Sequence, residues 1–386
     1  MNIDLGKAID SKLDRTKWKK WKFSDLVDNI VEKVKPQESG LEHYIGLEHL
    51  DSGSLHIKRF GESKTLIGDK LKIYKNDIIF AKRNAYLKRV SIAPFDAVAS
   101  AHSMVLRPKS ENVLPEFLPF FLLSEKFWTR AIEISVGSLS PTINWKSLAK
   151  QEFLLPPKDQ QAKLAELLWA MDEVIERDNE VLKRLKDIKT ALQRQYLDNP
   201  KNMVSIGDIS KVYSGGTPNR KISEYWNGSV PWIKTAEVNY RTIFSVEEYI
   251  SEEGLKNSPA KLIPIGSVLV AMYGQGVTRG RVAITGIRAA CNQACAVIET
   301  SDTILANFIY AYLEYKYEDL RSLAHGANQQ NLNLGMIKEY KIPDLELTDK
   351  NAFLKNKCGI DLNILKLESK ISSSKALQKS LINQVF

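Results

Sequence analysis

The sequence predicts an α+β protein built twice. Two tandem, similar globular segments are each followed by a long helix, and the two helices pair as an antiparallel coiled coil about a pseudo-twofold axis. Three observations predict this. The second half of the 386-residue chain repeats the first in order. Each half holds short β-rich runs between Gly, Pro and Asn turns. Each half ends in a stretch whose apolar residues recur at steps of four and three.

The repeat is read from matched blocks. "NDIIFAKRN" (Asn76 to Asn84) lines up with "GSVLVAMYG" (Gly266 to Gly274), and "RVSIA" (Arg89 to Ala93) with "RVAIT" (Arg281 to Thr285). "VLPEFLPFFLL" (Val113 to Leu123) matches "ILANFIYAYLE" (Ile304 to Glu314), and "GSLSPTIN" (Gly137 to Asn144) matches "GANQQNLN" (Gly326 to Asn333). "FLLP" (Phe153 to Pro156) is matched to "YKIP" (Tyr340 to Pro343), and "TALQRQ" (Thr190 to Gln195) to "KALQKS" (Lys375 to Ser380). The offset stays between about 183 and 192 residues, an order and spacing that chance similarity does not keep.

Within each half, runs such as "DIIFA" and "SVLVAMY" are expected as strands. One amphipathic helix is expected at 114–134 and again at 305–323. Pro-marked boundaries follow, "LLPPKDQQ" and "IPDLELTD". The terminal helices carry their seams at Leu164, Leu168, Met171, Ile175, Asp178, Leu182, Leu185, Lys189, Leu192 and Tyr196, and at Ile360, Ile364, Leu367, Ile371, Ser374, Gln378, Leu381 and Val385. The first helix is about 35 residues, roughly 50 Å at 1.5 Å per residue. So long a stripe exceeds what one neighbouring domain covers, so the helices are expected to pack on each other.

Composition is that of an ordinary globular chain, 44% hydrophobic and 26% charged. Lys and Arg outnumber Asp and Glu by 55 to 46, a net charge of +9, which suits an anionic partner. The excess is uneven: residues 1–150 carry about +7 and residues 201–350 about zero. The first segment is therefore expected to supply more of the non-specific affinity. The polar N-terminus, the absence of a long apolar run and the lack of a cysteine framework read as cytoplasmic, with no membrane partner.

Catalytic patterns do not emerge. No Asn-Pro-Pro-aromatic block and no Walker sequence occur, and "YGQGVTRGR" has the wrong glycine spacing for a dinucleotide fingerprint. Cys291 and Cys295 lie four apart with no second Cys/His pair beside them, so they are expected as buried small residues and not as zinc ligands.

Matched positions carry the richest polar clusters instead. "AKRNAYLKRV" offers Lys82, Arg83, Asn84, Lys88 and Arg89 after a strand, and "MYGQGVTRGR" offers Tyr273, Gln275, Thr278, Arg279 and Arg281. Arg pairs bidentately with guanine, Asn and Gln with adenine, and Lys neutralises phosphate. In "SGGTPNRKISEYWNGSVPWIK" the two glycines permit a tight turn, and Trp226 and Trp232 are expected to anchor it as a small core. Asn219, Arg220, Lys221 and Lys234 are expected outside.

These residues resemble a known family. The "SGGTP…YWNGSVPWIK" block, the strand-and-loop blocks, the Pro-marked boundary before a long helix and the two-copy order are similar to the specificity (S, HsdS-type) subunit of type I restriction–modification systems. The resemblance covers essentially the whole chain, although the first half has "VEKVKPQESG" where the second has its Gly-Gly-Thr-Pro turn. It implies target-recognition domains at residues 1–157 and 201–348, with helical spacers at 158–200 and 349–386. It implies a non-catalytic subunit that reads double-stranded DNA at two half-sites separated by a gap set by the helices. Implied partners are two methyltransferase subunits and motor–nuclease subunits. No cofactor is implied in this subunit; S-adenosylmethionine, ATP and Mg belong to the partners. The residues also leave open a stand-alone DNA-binding regulator, or a glycan-binding repeat protein stacking sugars on Tyr225, Trp226 and Trp232.

Overall fold

Four consecutive apolar residues at Ile78–Ala81, and four more at Val268–Ala271, suit strands covered on both faces. In the computed structural model, which describes residues 14–274, 276–300, 302–324 and 331–386, both runs are strands buried at every position. The chain divides into two units: residues up to Val181 together with Leu367–Phe386, and Leu182–Lys366. No helix among the described residues is long and apolar enough to cross a membrane.

In the first unit, β1 (Lys19–Lys22) leads through α1 (Phe23–Leu26) into β2 (Val27–Ile30). There follow β3 (Lys33–Val34), β4 (His43–Ile45), β5 (Gly61–Glu62), β6 (Lys70–Ile73), β7 (Ile78–Ala81), β8 (Val90–Ile92), β9 (Ala97–Ala99) and β10 (Ser103–Pro108). One sheet has the order β2-β10-β7-β8 and the other β3-β6-β9-β4-β5. The period-2 alternation of strands divides the side chains between two cores. Ile79, Ala81 and Val105 meet Ile45, Ile73 and Ala99 of the second sheet, while Ile78, Phe80, Met104 and Leu106 turn to the helices.

Those helices are α2 (Leu118–Leu123) and α3 (Glu125–Glu133), where the sequence predicts one continuous helix. Ser124 is the reason for the break. Its backbone is extended, and its hydroxyl accepts a hydrogen bond from the Phe127 N–H, starting a new helix. The indole of Trp128 on α3 stacks on Phe80 at 5.0 Å. β11 (Glu152–Leu155) then pairs antiparallel with β1 and feeds the long helix α4 (Lys158–Leu197).

The second unit repeats the plan with β12 (Met203–Ser205), α5 (Ile206–Ile209), β13 (Lys211–Ser214), β14 (Trp226–Ile233), β15 (Thr242–Ile243), β16 (Glu248–Ile250), β17 (Val268–Ala271), β18 (Val282–Thr285), β19 (Ala290–Cys291) and β20 (Cys295–Glu299). Helices α6 (Thr303–Tyr315) and α7 (Tyr317–Ser322), again two where one is predicted, lead to β21 (Lys341–Pro343) and the last helix α8 (Leu347–Val385). The main sheet, β13-β20-β17-β18-β15, keeps the order of its counterpart and adds β15 at the edge.

The duplication is written in backbone hydrogen bonds. Ala81 N donates to Arg89 O at 3.0 Å, and Ala271 N to Arg281 O at 2.9 Å. Asn76 and Gly266 both hold positive φ, 72° and 86°, at the turn before the central strand. One match shifts. Trp21 pairs with Phe153 and Val204 with Ile342, so Phe153 corresponds to Ile342 and not to Tyr340. Cys291 and Cys295 are fully buried, as the sequence suggests.

The seams behave as the heptad spacing predicts, with a second task added. In the first unit Leu164 and Leu168 of α4 and Leu381, Ile382 and Val385 of α8 are part of the domain core. Gln378 Nε2 donates to Leu168 O at 3.3 Å, and Lys370 meets Asp178 at 2.9 Å, so the two segments run antiparallel. In the second unit Tyr196 packs on Phe353 at 5.7 Å and Lys189 meets Asp361 at 2.7 Å, again antiparallel. The two polar seam positions of α4, Asp178 and Lys189, thus each face an opposite charge.

Two ionic contacts fasten the long helices to their domains, and each yields a prediction. Lys357, with a side chain only 9% exposed, bridges Glu314 at 2.8 Å and Asp361 at 2.7 Å. Lys357→Ala leaves Glu314 without its ion-pair partner and Asp361 with Lys189 alone, and chemical denaturation should show a loss of about 3 kcal/mol; an unchanged midpoint counts against the bridge. His56 Nε2 lies 2.5 Å from Asp172 Oδ2, and this contact raises the imidazole pKa above its ordinary value. The stabilisation is therefore present below the ordinary histidine pKa and fades as pH rises through the raised one. Thermal melts of wild type and His56→Gln should differ more at pH 5.5 than at pH 8.5, and a pH-independent difference removes the charge from the account.

Candidate nucleic-acid interface

Three segments meet where β7 leaves the first sheet. Lys82 N donates to His102 O at 3.2 Å, Ile143 N to Lys82 O at 2.8 Å, and Ala85 N to Pro141 O at 3.1 Å. The β7–β8 loop is thereby tied to the Ser100–His102 turn and to the segment 136–143. Asn84 and Lys88 take left-handed backbone, φ 56° and 48°, around one short turn. Asn tolerates this conformation; for Lys it is strained.

The five residues singled out in this loop divide by what they touch. Arg83 is exposed, with Nη1 3.5 Å from His102 Nε2. Lys82 is half-buried, and burial lowers its pKa. Burial first, then the charges of Arg83, Lys82 and Lys70, likewise lower that of His102, so cationic groups gather here. Asn84 shapes the backbone. Lys88 is ion-paired with Glu125 of α3, and Arg89 Nη1 donates to Leu47 O at 2.6 Å. These last two are held inside the domain.

The matching loop of the second unit, from Ala271 to Arg281, is two residues longer than that from Ala81 to Arg89. Tyr273 stands 43% exposed at its start. Gly274 and Gly280 hold φ 149° and 87°, and a Cβ on Gly274 would lie 2.7 Å from Thr278 Cβ. Neighbouring side chains fix the loop backbone: Tyr317 donates its hydroxyl to Val277 O, and Arg321 donates to Gly276 O at 2.9 Å. Arg281 lies over the Tyr240 ring at 5.9 Å. Thr278 and Arg279 are half-buried, and Gln275 lies outside the described residues.

The Gly-Gly-Thr-Pro turn owes its glycines to close packing. Gly215 N and Gly216 N donate to Cys295 O and Cys291 O, and a Cβ would lie 2.2 Å from Cys291 O at one and 2.3 Å from Pro259 C at the other. The first half needs no such turn, because its segment forms β3 and pairs with β6. Trp226 and Trp232 pack edge to face at 5.2 Å, as predicted, and Trp232 Nε1 donates to Gly216 O at 3.0 Å.

Arg220 is exposed, as the sequence suggests, and Lys234 is half-buried, but both are engaged by acids. The Arg220 guanidinium stacks on Trp226 at 3.7 Å and pairs with Glu248 at 2.6 Å. Lys234 meets Glu247 at 2.5 Å and Glu248 at 3.5 Å, contacts that raise its pKa. Asn219 and Lys221 are exposed, with Lys221 N donating to Asn219 Oδ1. Glu248, which holds two of these cations, and Tyr240, Tyr317 and Arg321, which hold the glycine loop, have no local signal in sequence.

The family model for the type I restriction modification DNA specificity domain matches residues 17–187 and 199–344, once per unit. The chain belongs to this family. It is 29% identical over 143 residues to the EcoR124I/EcoR124II specificity subunit of Escherichia coli, covering 36% of this chain and 35% of that subunit. The chain thus spans about a third of the length of the first curated relatives it matches. It is 21% identical over 418 residues to the HindI specificity subunit of Haemophilus influenzae, covering 84% and 89% of the two chains. The fold is similar to the crystal structure of a type I restriction–modification S subunit from M. genitalium, with TM-score 0.61, 14% identity and 96% of both chains covered. In this specificity-domain pair the Trp–Arg–Glu cluster braces the Gly-Gly-Thr-Pro segment of the second unit. Arg220→Ala should lower stability by about 1 kcal/mol, the scale of a lost cation–π contact, and shift tryptophan emission; unaltered emission and midpoint would leave Arg220 as a surface group.

Proposed function

We propose that this chain is the DNA-reading subunit of a type I restriction–modification complex. Each unit reads one half-site of a bipartite duplex target, and the antiparallel helix pair holds the two readers apart by a fixed, non-specific gap. The observation that carries this reading is the duplication itself: a specificity domain, a long helix, and the same pair again, with matched loops after matched strands. The chain supplies recognition. Two methyltransferase subunits bring S-adenosylmethionine and methylate adenine at N6, and motor–nuclease subunits add ATP-dependent cleavage. Reading and chemistry separate naturally, since a methyltransferase must draw its base from the stack while another surface holds the duplex in register.

Within this reading, Arg83 and Tyr273 stand at the exposed starts of the two loops, with Lys82, Asn84, Gln275, Thr278, Arg279 and Arg281 completing them. Asn219 and Lys221 belong to a second loop of the second unit. Lys88, Arg89, Arg220 and Lys234 contribute by shaping the surface that faces DNA.

The test is adenine methylation mapped genome-wide, with and without this gene, in cells that express the partner methyltransferase. One bipartite motif should vanish on deletion. Arg83→Ala and Arg279→Ala, re-introduced separately, should each relax one half-site and leave the other intact. Persistence of every motif after deletion overturns the assignment, and a change in both half-sites from one substitution overturns the placement of the loops.

A further inference from the structure

The cations in the two reading loops are largely engaged within the fold, yet residues 1–150 carry a net charge of about +7. Its uncompensated part lies elsewhere in the first unit. β1 alternates, so Lys20 and Lys22 project to one face while Trp21 packs toward the core. Trp18 just before it is buried and donates its indole N–H to Gln160. This face borders an open cleft of about 660 Å³ lined by Lys20 of β1, Lys126, Thr129, Arg130 and Glu133 of α3, and Lys150 to Phe153 at β11. Arg130 is paired with Glu133 at 3.1 Å. Lys20, Lys126 and Lys150 are exposed, their side chains make no hydrogen bond or ion pair among the described residues, and Glu152 is the other acid of the cleft.

The second unit shows that the fold does not require this charge. Lys22 pairs with Glu152 as Ser205 pairs with Lys341, so Met203 stands where Lys20 is. Phe23 N donates to Gln151 O as Ile206 N donates to Tyr340 O, which places Glu339 at the position of Lys150. Lys126 is the second residue of α3, and Glu318 is the second residue of α7. Lys20 and Lys150 are thus a methionine and a glutamate in the other copy, and the first turn of α7 carries the acids Glu318 and Asp319.

We infer that the Lys20–Lys126–Lys150 cleft binds the phosphodiester backbone of duplex DNA independently of sequence, on the first unit alone. The chemistry favours this ligand. Lysines act on phosphate as mobile point charges, and an open cleft without paired Asn, Gln or Arg has nothing with which to discriminate bases. The inference rests on the DNA-reading assignment for the identity of its ligand and adds a contact outside the reading loops.

The experiment uses the full-length chain and a fluorescent duplex lacking the target, titrated between 50 and 200 mM salt. The triple variant Lys20→Ala, Lys126→Ala, Lys150→Ala should bind about tenfold or more weakly at 50 mM, with the slope of log K against log salt reduced by about two to three. Its preference for target over non-target duplex should remain. Lys341→Ala, on the matching face of the second unit, should change neither quantity. An unchanged slope in the triple variant overturns the inference. An unchanged slope with lost retention of the methyltransferase also overturns it and gives the cleft to an acidic protein surface. If wild type binds no duplex, target or otherwise, the DNA-reading assignment fails first; wild-type binding with no effect of the triple variant sinks the cleft alone.

Discussion

The structure depends on the pairing of two helices that belong to neither unit alone. α4 passes from the first unit into the second at residues 181–182, and α8 returns at 366–367. In each unit one end of α4 and one end of α8 close the core: Leu164, Leu168, Leu381 and Ile382 in the first, Leu197 and Phe353 in the second. The first core is incomplete without a segment distant in sequence, Leu367–Phe386. Apolar seams tolerate slippage, since any heptad can face any other, and charge at the seam resists it. Asp178 against Lys370 and Lys189 against Asp361 supply that resistance, one pair in each unit. A slipped register would bury these charges against apolar neighbours, a cost beyond anything the slip regains.

With the helices fixed, the domains vary where variation is tolerated. The two units share backbone contacts: the bond across the base of each loop, the positive-φ turn before the central strand, and the parallel pairs β4–β9 and β14–β19. Side chains above that frame differ freely. Position 82 is lysine and its counterpart 272 methionine, and the second loop is longer by two residues and rich in glycine. A sheet that closes its own hydrogen bonds leaves its loops to be rewritten without cost to the core, which suits a family whose members must read different targets.

Much of this was legible in sequence because it is periodic or repeated. The heptad spacing located the seams, the apolar runs located the central strands, and the ordered blocks revealed the duplication. What stayed hidden depends on single contacts, one local and the others between residues apart in sequence. Nothing near Ser124 announces that its hydroxyl will cap a new helix, because the surrounding apolar pattern continues through it. Arg220 and Lys234 read as loop cations because Glu248, which holds both, lies on another strand. Lys88 reads the same way until Glu125 is brought to it by the packing of α3. The match of Phe153 to Tyr340 failed by two residues because a short strand aligned on its prolines, while pairing with the partner strand sets the true register.

These engagements change what net charge means for binding. A polyanion responds to charge that the fold has not already neutralised, and the residue count does not distinguish the two. Residues 201–350 sum to about zero, and two cations near the Gly-Gly-Thr-Pro turn are held by glutamates, so on the DNA-reading proposal this segment would contribute through shape and directed hydrogen bonds around the glycine loop. The first unit combines the proposed reading loop with the exposed side chains of Lys20, Lys126 and Lys150. Tight binding by both halves would hold the subunit on any DNA; tight binding by neither would leave it unable to find a site among many. On the DNA-reading proposal, attraction concentrated in residues 1–150, with discrimination distributed over both units, would let the chain engage DNA through the first unit while selectivity still requires agreement at two places.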